Sequence, residues 1–251
     1  MKPLATSAVC ALLLGVVAAQ EVLYCGPQLA PYQAVSYSCI DDLLCPVVAG
    51  EAYKKCGLSC YSDLQYNCTE DNLLVELPQL ETSYQVAVLR KDFEMIDGKI
   101  INAKGSKFVI GQEPDITCPS PPLPNCLDFK NITAFAGQQP GALPAKRVAL
   151  DTVVPGGQQA LIELSGDFGY SIPHSAFIPN GAYEGPGLFR AYKDGEFVFT
   201  GGKGWRACLV DDTGTLYIVQ QIPGYQPKGL CLDIKLVTKD PGVPGPYAWE
   251  Y

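Results

Sequence analysis

The chain has 251 residues, a formal net charge of −8 and a single histidine. An acidic surface of this kind repels phosphate backbones and anionic bilayers, which argues against nucleic acid and membrane surfaces as partners. Charged residues are sparse, while 25 glycines, 21 prolines and 14 tyrosines suit a rigid extracellular β-rich protein better than a helical one.

The opening stretch "MKPLATSAVCALLLGVVAAQ" carries one lysine, an apolar run from Val9 to Val17, and small residues Ala18 and Ala19 before Gln20. It reads as a secretory signal peptide over residues 1–19, and the product is expected to be secreted, extracellular or held in a cell wall. The apolar run is shorter than the roughly 20 residues that a membrane-spanning helix needs, and no later stretch approaches that length.

Cys10 leaves with the signal, and the other ten cysteines (Cys25, Cys39, Cys45, Cys56, Cys60, Cys68, Cys118, Cys126, Cys208 and Cys231) form an even set. In an oxidising compartment an even set reads as disulfides. Zinc is the competing reading, but paired C-x2-C spacing is absent and His174 is the one histidine, so no metal is predicted. Six of the ten fall between Cys25 and Cys68, which predicts a disulfide-rich module over residues 20–68. A unit of about 45 residues buries too little apolar surface to offset its chain entropy, and each crosslink adds about 2–4 kcal/mol. Its six cysteines allow 15 pairings, and spacing does not choose among them.

Within the module, "YQAVSYSC" from Tyr32 to Cys39 and "YSDLQYNC" from Tyr61 to Cys68 share one frame, Tyr-x4-Tyr-x-Cys. A sugar ring has an apolar face of C–H groups and a rim of hydroxyls, so its site wants flat exposed rings beside amides and carboxylates. Tyr32, Tyr37, Tyr61 and Tyr66 are the predicted carbohydrate-binding residues, with Asp41, Asp42, Gln65 and Asn67 nearby. The competing reading makes these tyrosines the module's miniature core. The sequons "NCT" at Asn67 and "NIT" at Asn131 suit an exported glycoprotein.

Residues 69–83, "TEDNLLVELPQLETS", read as a linker or short connecting helix. From Tyr84 onward, period-two alternation of apolar and polar residues predicts strands in "YQVAVLR", "KIINA", "KFVIG", "RVALDTVV", "QALIELS", "GLFRAY", "EFVFTG", "TLYIVQQI" and "CLDIKLV". Asp and Gly in "IDGK", "YKDGEF" and "DDTGTL" mark turns that need positive φ. The predicted fold is therefore mainly β: a small disulfide-rich module followed by an all-β domain over 84–251, either a sandwich or a closed barrel-like form such as a trefoil. Cys118 and Cys126 in "CPSPPLPNC" lie close enough to pair, and elimination then joins Cys208 to Cys231. No thiol remains for nucleophilic chemistry.

Catalytic residues are harder to find. His174 in "GYSIPHSAF" is the one candidate for a Ser-His-Asp or Cys-His device, and beside a proline it reads as structural. No Gly-rich loop opens a helix in a βαβ unit, so no nucleotide, flavin or nicotinamide cofactor is predicted. Paired carboxylates could support glycoside hydrolysis, and Glu94 with Asp97, Asp211 with Asp212, and Glu196 are visible. All sit at predicted turns, where acidic residues are common, and nothing selects a pair. Trp205 in "FVFTGGKGWRAC" is either a stacking surface or, the stronger reading, a strand anchor.

Cys25-Gly26, Tyr32, Tyr37-x-Cys39, "LCP" at 44–46, Gly50, "CGLSCY" at 56–61 and Tyr66-x-Cys68 together resemble the short cysteine-rich carbohydrate-binding module of fungal endo-1,3(4)-β-glucanases. The resemblance covers residues 25–68 and implies a secreted fungal protein whose module binds β-glucan or a related wall polysaccharide. No glucanase catalytic domain is recognisable after it. The remainder, through "KIINAKGSKFVIGQEPDITC" and "FVFTGGKGWRACLVDDTGTLYIV", resembles secreted fungal phialide-associated cell-wall proteins, which implies a wall-associated β-protein without catalytic residues. The expectation is a polysaccharide-binding wall protein without activity. A glycoside hydrolase using two carboxylates, and a structural or host-facing surface protein, are the alternatives.

Overall fold

Short alternating runs, each cut off by Gly, Asp or Asn, give strands and little else. The computed structural model describes residues 22–119, 126–137, 147–175, 177–185, 187–210, 213–225, 227–245 and 247–251. Among these residues the one helical element is a 3-10 turn at Cys126–Asp128. No helix among them is long and apolar enough to cross a membrane.

The N-terminal module is built of short strands: β1 (Leu23–Cys25), β2 (Ala30–Tyr32), β3 (Tyr37–Ile40), β4 (Leu43–Val48), β5 (Glu51–Ala52), β6 (Lys54–Cys56), β7 (Ser59–Tyr61), β8 (Tyr66–Cys68) and β9 (Leu74–Glu76). The antiparallel pairs are β1 with β2, β3 with β4, β4 with β5, β6 with β7, and β8 with β9. The repeated tyrosine frame is the trace of a structural duplication. In the first unit a hairpin, β1–β2, leads through a turn in which the Ser36 and Tyr37 amides both donate to the Gln33 carbonyl. In the second unit β6–β7 leads through the same turn, with Gln65 and Tyr66 donating to Ser62. Each turn opens a second hairpin, β3–β4 or β8–β9, closed by Val47 donating to Ser36 and by Leu77 donating to Gln65.

Disulfides hold both units the same way, Cys25–Cys39 in the first and Cys56–Cys68 in the second, while Cys45–Cys60 stitches one unit to the other. Even the glycine after each first cysteine is repeated. Gly26 and Gly57 both have positive φ, and a Cβ there would meet Asp42 at 3.3 Å or Asn72 at 3.2 Å. The stretch read as a linker, 69–83, contains β9, which pairs with β8 and completes the second unit; no helix forms there. The frame ends at Cys68, so the apolar "LLV" after it carried no module signal.

The C-terminal domain comprises β10 (Gln85–Leu89), β11 (Ile101–Lys104), β12 (Lys107–Ile110), β13 (Ala160–Ile162), β14 (Phe168–Tyr170), β15 (Phe189–Ala191), β16 (Phe197–Phe199), β17 (Trp205–Leu209), β18 (Leu216–Gln220) and β19 (Leu230–Lys239). One antiparallel sheet runs β10-β19-β17-β18-β12-β14-β13, with β11 also on β12, and β15–β16 forms a separate hairpin. Cys208 and Cys231 face each other across β17 and β19 and are bonded, as are Cys118 and Cys126. The predicted strand "RVALDTVV" contributes only isolated bridges, from Ala149 to Gln159, Leu150 to Phe135 and Thr152 to Ala248, because its partner changes along its length. β14 was missed because Gly169 interrupts its apolar run; a Cβ there would lie 2.6 Å from the Ser106 carbonyl in the turn before β12.

Inside the sheet is an aromatic cluster. Phe108, Phe135, Phe168, Phe189 and Phe197 are each at most 2% exposed, and Phe168 centres on it, 4.3 Å from Phe108 and 4.9 Å from Trp205 between ring centroids. The β15–β16 hairpin adds Phe189, Phe197 and Phe199 to the same cluster.

Candidate functional site

In β19 the residues Ile234 to Thr238 are buried without alternation. Successive side chains point to opposite faces, so both faces of this strand must be covered. Leu236 enters the aromatic core, whereas Lys235 turns the other way and meets the N-terminal module. That contact defines a seam.

Several residues fasten it. The turn before β16 uses Asp194 in the left-handed region, and Gly195 is required for a different reason: a Cβ there would sit 2.4 Å from the Leu64 carbonyl of the module. The same carbonyl accepts a hydrogen bond from the Glu196 amide at 2.9 Å. The Glu196 carboxylate is buried, accepting from Gln65 Nε2 at 2.9 Å and Ser62 Oγ at 3.5 Å, with Lys235 Nζ at 3.9 Å. Burial raises its pKa, opposed by the charge of Lys235 and then by the two hydrogen bonds. Lys235 Nζ also lies 4.7 Å from the centre of the Tyr53 ring, a cation–π contact inside the seam. Beyond it, Glu76 Oε1 accepts from Tyr192 Oη and from Arg190 Nη1, both at 2.6 Å. The Tyr192 hydrogen bond is the main cause holding the Glu76 pKa below the ordinary value, and burial pushes Tyr192 up to about 12. Lys91 and Glu51 add a surface ion pair at 2.5 Å.

Two adjoining clefts open along the seam. The larger, of about 760 Å3, has Tyr37 and Pro46 on the module side and Arg90, Asp92, Lys203 and Gln221 on the sheet side. The smaller, of about 430 Å3, is lined by Tyr53, Tyr66, Arg190, Glu196 and Thr200. Val48, Lys203, Gly204, Trp205 and Ile234 belong to both, so the clefts share a floor. Charges in the larger cleft are balanced: Arg90 Nη2 donates to Asp92 Oδ2 at 3.0 Å and Arg90 Nη1 to the Asp233 carbonyl at 2.7 Å. Such a surface offers donors and acceptors without a net field, which suits polyhydroxyl ligands.

The four predicted tyrosines part company here. Tyr37 is 44% exposed and lines the larger cleft, and its counterpart in the duplication, Tyr66, lines the smaller. Tyr32 and Tyr61 are half-buried, line neither cleft, and end β2 and β7 opposite Leu23 and Lys54. Sequence reasoning missed Tyr53, which lies outside the repeated frame and carries no local signal, and Tyr24, which is 62% exposed. Asn67 is exposed next to Tyr66 in β8, and strand alternation turns it away from the cleft; Asn131 is exposed too.

Trp205 is 3% exposed, donates Nε1–H to the Phe197 carbonyl at 2.9 Å and stacks on the Phe197 ring: an anchor of the core. Glu94 lies on an exposed loop and Asp97 caps a turn by accepting from the Arg90 amide at 2.7 Å, while Asp211 and Asp212 lie outside the described residues. His174 is exposed, with Nε2 3.2 Å from Glu250 Oε2. Among the described residues no group of three His, Cys, Asp or Glu could hold a metal ion.

Residues 24–73 match a family model described as carbohydrate binding. The chain is 31% identical over 167 residues to an uncharacterized secreted protein of Arthroderma benhamiae, an alignment spanning 63% of this chain and 80% of that protein. At that length the alignment includes part of the C-terminal β-domain. A shorter likeness, 43% identical over 42 residues, is to the primary septum glucan endo-1,3-beta-D-glucosidase of Schizosaccharomyces pombe and covers 17% of this chain and 4% of that enzyme. No solved structure matches.

Proposed function

Since this chain belongs to the same family as the secreted protein of Arthroderma benhamiae, we propose that it is an exported, wall-associated polysaccharide-binding protein that grips β-glucan and catalyses no reaction. The observation that carries this reading is the placement of Tyr37 and Tyr66, equivalent residues of a duplicated unit, in two clefts with a common floor. A ligand made of repeating rings is the natural counterpart of a repeated aromatic position. Stacking contacts contribute on the order of 1 kcal/mol each, so affinity grows with the number of rings covered along one polymer. The β-1,3 linkage is favoured by the name of the Schizosaccharomyces pombe relative, a glucan endo-1,3-beta-D-glucosidase. In this reading the N-terminal module and the C-terminal β-domain are separate folding units joined at the seam, Asn67 and Asn131 carry glycans, and Tyr32 and Tyr61 support the module without touching ligand.

The test is co-sedimentation of the folded full chain with insoluble β-1,3-glucan, cellulose and chitin. Wild-type protein is expected in the β-1,3-glucan pellet, and Tyr37→Ala combined with Tyr66→Ala is expected to stay in solution. Equal sedimentation by a folded double variant would overturn the site.

One observation favours a hydrolytic reading. Glu196 lines a cleft with a raised pKa, while Glu76, across Tyr192, has a lowered one, and carboxyls pushed apart in this way can act as an acid and its partner. Its bonds to Ser62, Gln65 and Lys235 nevertheless engage Glu196 in fastening the seam, which places this reading second. Release of reducing ends from β-1,3-glucan that vanishes in Glu196→Gln would establish it.

A further inference from the structure

We infer that the C-terminal β-domain supplies the second wall of the glycan site, so that a neutral polysaccharide lies along the seam, stacked on Tyr37 and Tyr66 and hydrogen-bonded to Arg90, Asp92, Lys203 and Gln221. This rests on the binding function proposed above and extends it from the module to the whole chain.

The loop joining β16 to β17 makes the shared floor. Its residues Lys203 and Gly204 line both clefts, so a chain lying across it passes from one tyrosine to the other. The loop is held in place from beneath. The Lys203 amide donates to the Gln221 carbonyl at 2.7 Å and the Gln221 amide to the Gly204 carbonyl at 2.9 Å. Gly202 leaves the space that the Gln220 side chain fills; a Cβ there would stand 1.9 Å from its amide. Lys203 itself is exposed, so a fixed backbone carries a solvent-facing ammonium over the floor. A preformed backbone under a polar side chain is what makes a binding wall cheap to order.

The ligand's charge follows from the wall. Arg90 is already paired with Asp92, and Lys203 is matched by Asp233 on the same lining, so the larger cleft offers no surplus of positive charge for an acidic polymer. The chain as a whole is acidic, at −8, and would repel one. A guanidinium beside a carboxylate presents donors and acceptors side by side, which neighbouring sugar hydroxyls can engage together. Neutral glycans are therefore the ligand class, and both halves of the protein touch them.

The full chain is titrated with β-1,3-gluco-oligosaccharides. Lys203→Ala combined with Gln221→Ala is expected to weaken binding about tenfold, the loss of two hydrogen bonds near 1 kcal/mol each less some compensation by water. Melting temperature checks that the variant is folded, and Lys228→Ala, which lines neither cleft, is expected to bind as wild type. A second readout needs no substitution: bound oligosaccharide should slow acylation of the Lys203 amine several-fold in the wild-type chain, read by mass spectrometry. If wild type binds, Tyr37→Ala weakens it, and yet the wall variant binds normally with Lys203 acylated at an unchanged rate, the second wall is overturned and the binding function stands. If wild type binds no neutral glycan at all, the binding function falls and this inference with it. Preferential binding of a carboxylated polysaccharide would overturn the neutral assignment alone.

Discussion

The two halves of this protein reach a fixed shape by opposite routes. From Tyr84 onward the chain buries interlocking rings, with Phe108, Phe135, Phe168 and Phe197 almost completely enclosed. In the module the buried hydrophobic residues are Cys25, Cys45, Cys56 and Ala49, while Tyr24, Leu29, Val35, Tyr37 and Leu58 remain exposed. One half spends its aromatic residues on a core. The other is held by three disulfides, two copies of one turn and a seam against its neighbour, which leaves Tyr24 and Tyr37 exposed. A crosslinked segment with little core has its side chains ordered before binding, and so loses less entropy on contact.

The contrast can be broken from either side. Phe168→Ala should be the most damaging change, costing about 3–5 kcal/mol because its neighbours close only part of the void. Calorimetry would register a collapse of the β-domain transition, and a drop of only a few tenths would mean that the aromatic cluster is not its core. Removing the stitch between the duplicated units, Cys45→Ala with Cys60→Ala, should cost the module about 2–4 kcal/mol. Its expected signature is faster proteolysis between residues 22 and 77 with the β-domain melting as before. A coincident loss of both halves would show that they fold as one unit.

A smaller effect probes the seam, where two carboxylates shift in opposite directions. Hydrogen bonds from Tyr192 and Arg190 lower the folded pKa of Glu76 beneath its ordinary 4.5. Their stabilisation is therefore fully present above about pH 4.5 and is lost as the pH falls through the lowered value. Glu76 is partly exposed, so Glu76→Gln should cost less than about 1 kcal/mol at neutral pH and nothing in strong acid. Glu196 has the reverse sign, because burial raises its folded pKa; its ionisation removes stability as the pH rises from the ordinary value through the raised one. Melting temperatures of Glu76→Gln and Glu196→Gln should lie nearest wild type at pH 3 and diverge from it toward pH 7 in opposite directions, Glu76→Gln below and Glu196→Gln above. Parallel curves would mean that neither carboxylate is coupled to folding.

Much of the fold was legible because its signals are local. Period-two runs and Asp-Gly turns marked most of the strands of the C-terminal domain, and the Tyr-x4-Tyr-x-Cys frame followed from two copies of the same turn. What escaped depends on contacts distant in sequence. Gly195 reads as an ordinary hairpin glycine, yet the requirement for it comes from the Leu64 carbonyl of the other half. Glu196 reads as a turn carboxylate and is instead a buried strut, since nothing near it in sequence announces Lys235 or Gln65. The frame could not separate Tyr37 and Tyr66 from Tyr32 and Tyr61 either, because which ring faces a cleft is decided by where the module meets the sheet.

The most direct measurement is the dependence of affinity on the length of a β-1,3-gluco-oligosaccharide, determined by calorimetry for wild type, Tyr37→Ala and Tyr66→Ala. If the duplicated tyrosines read one polymer along the seam, wild-type affinity climbs until the ligand spans both rings and then levels, and each single variant levels at a shorter length. An affinity independent of length, or a length dependence that neither substitution alters, would contradict the account.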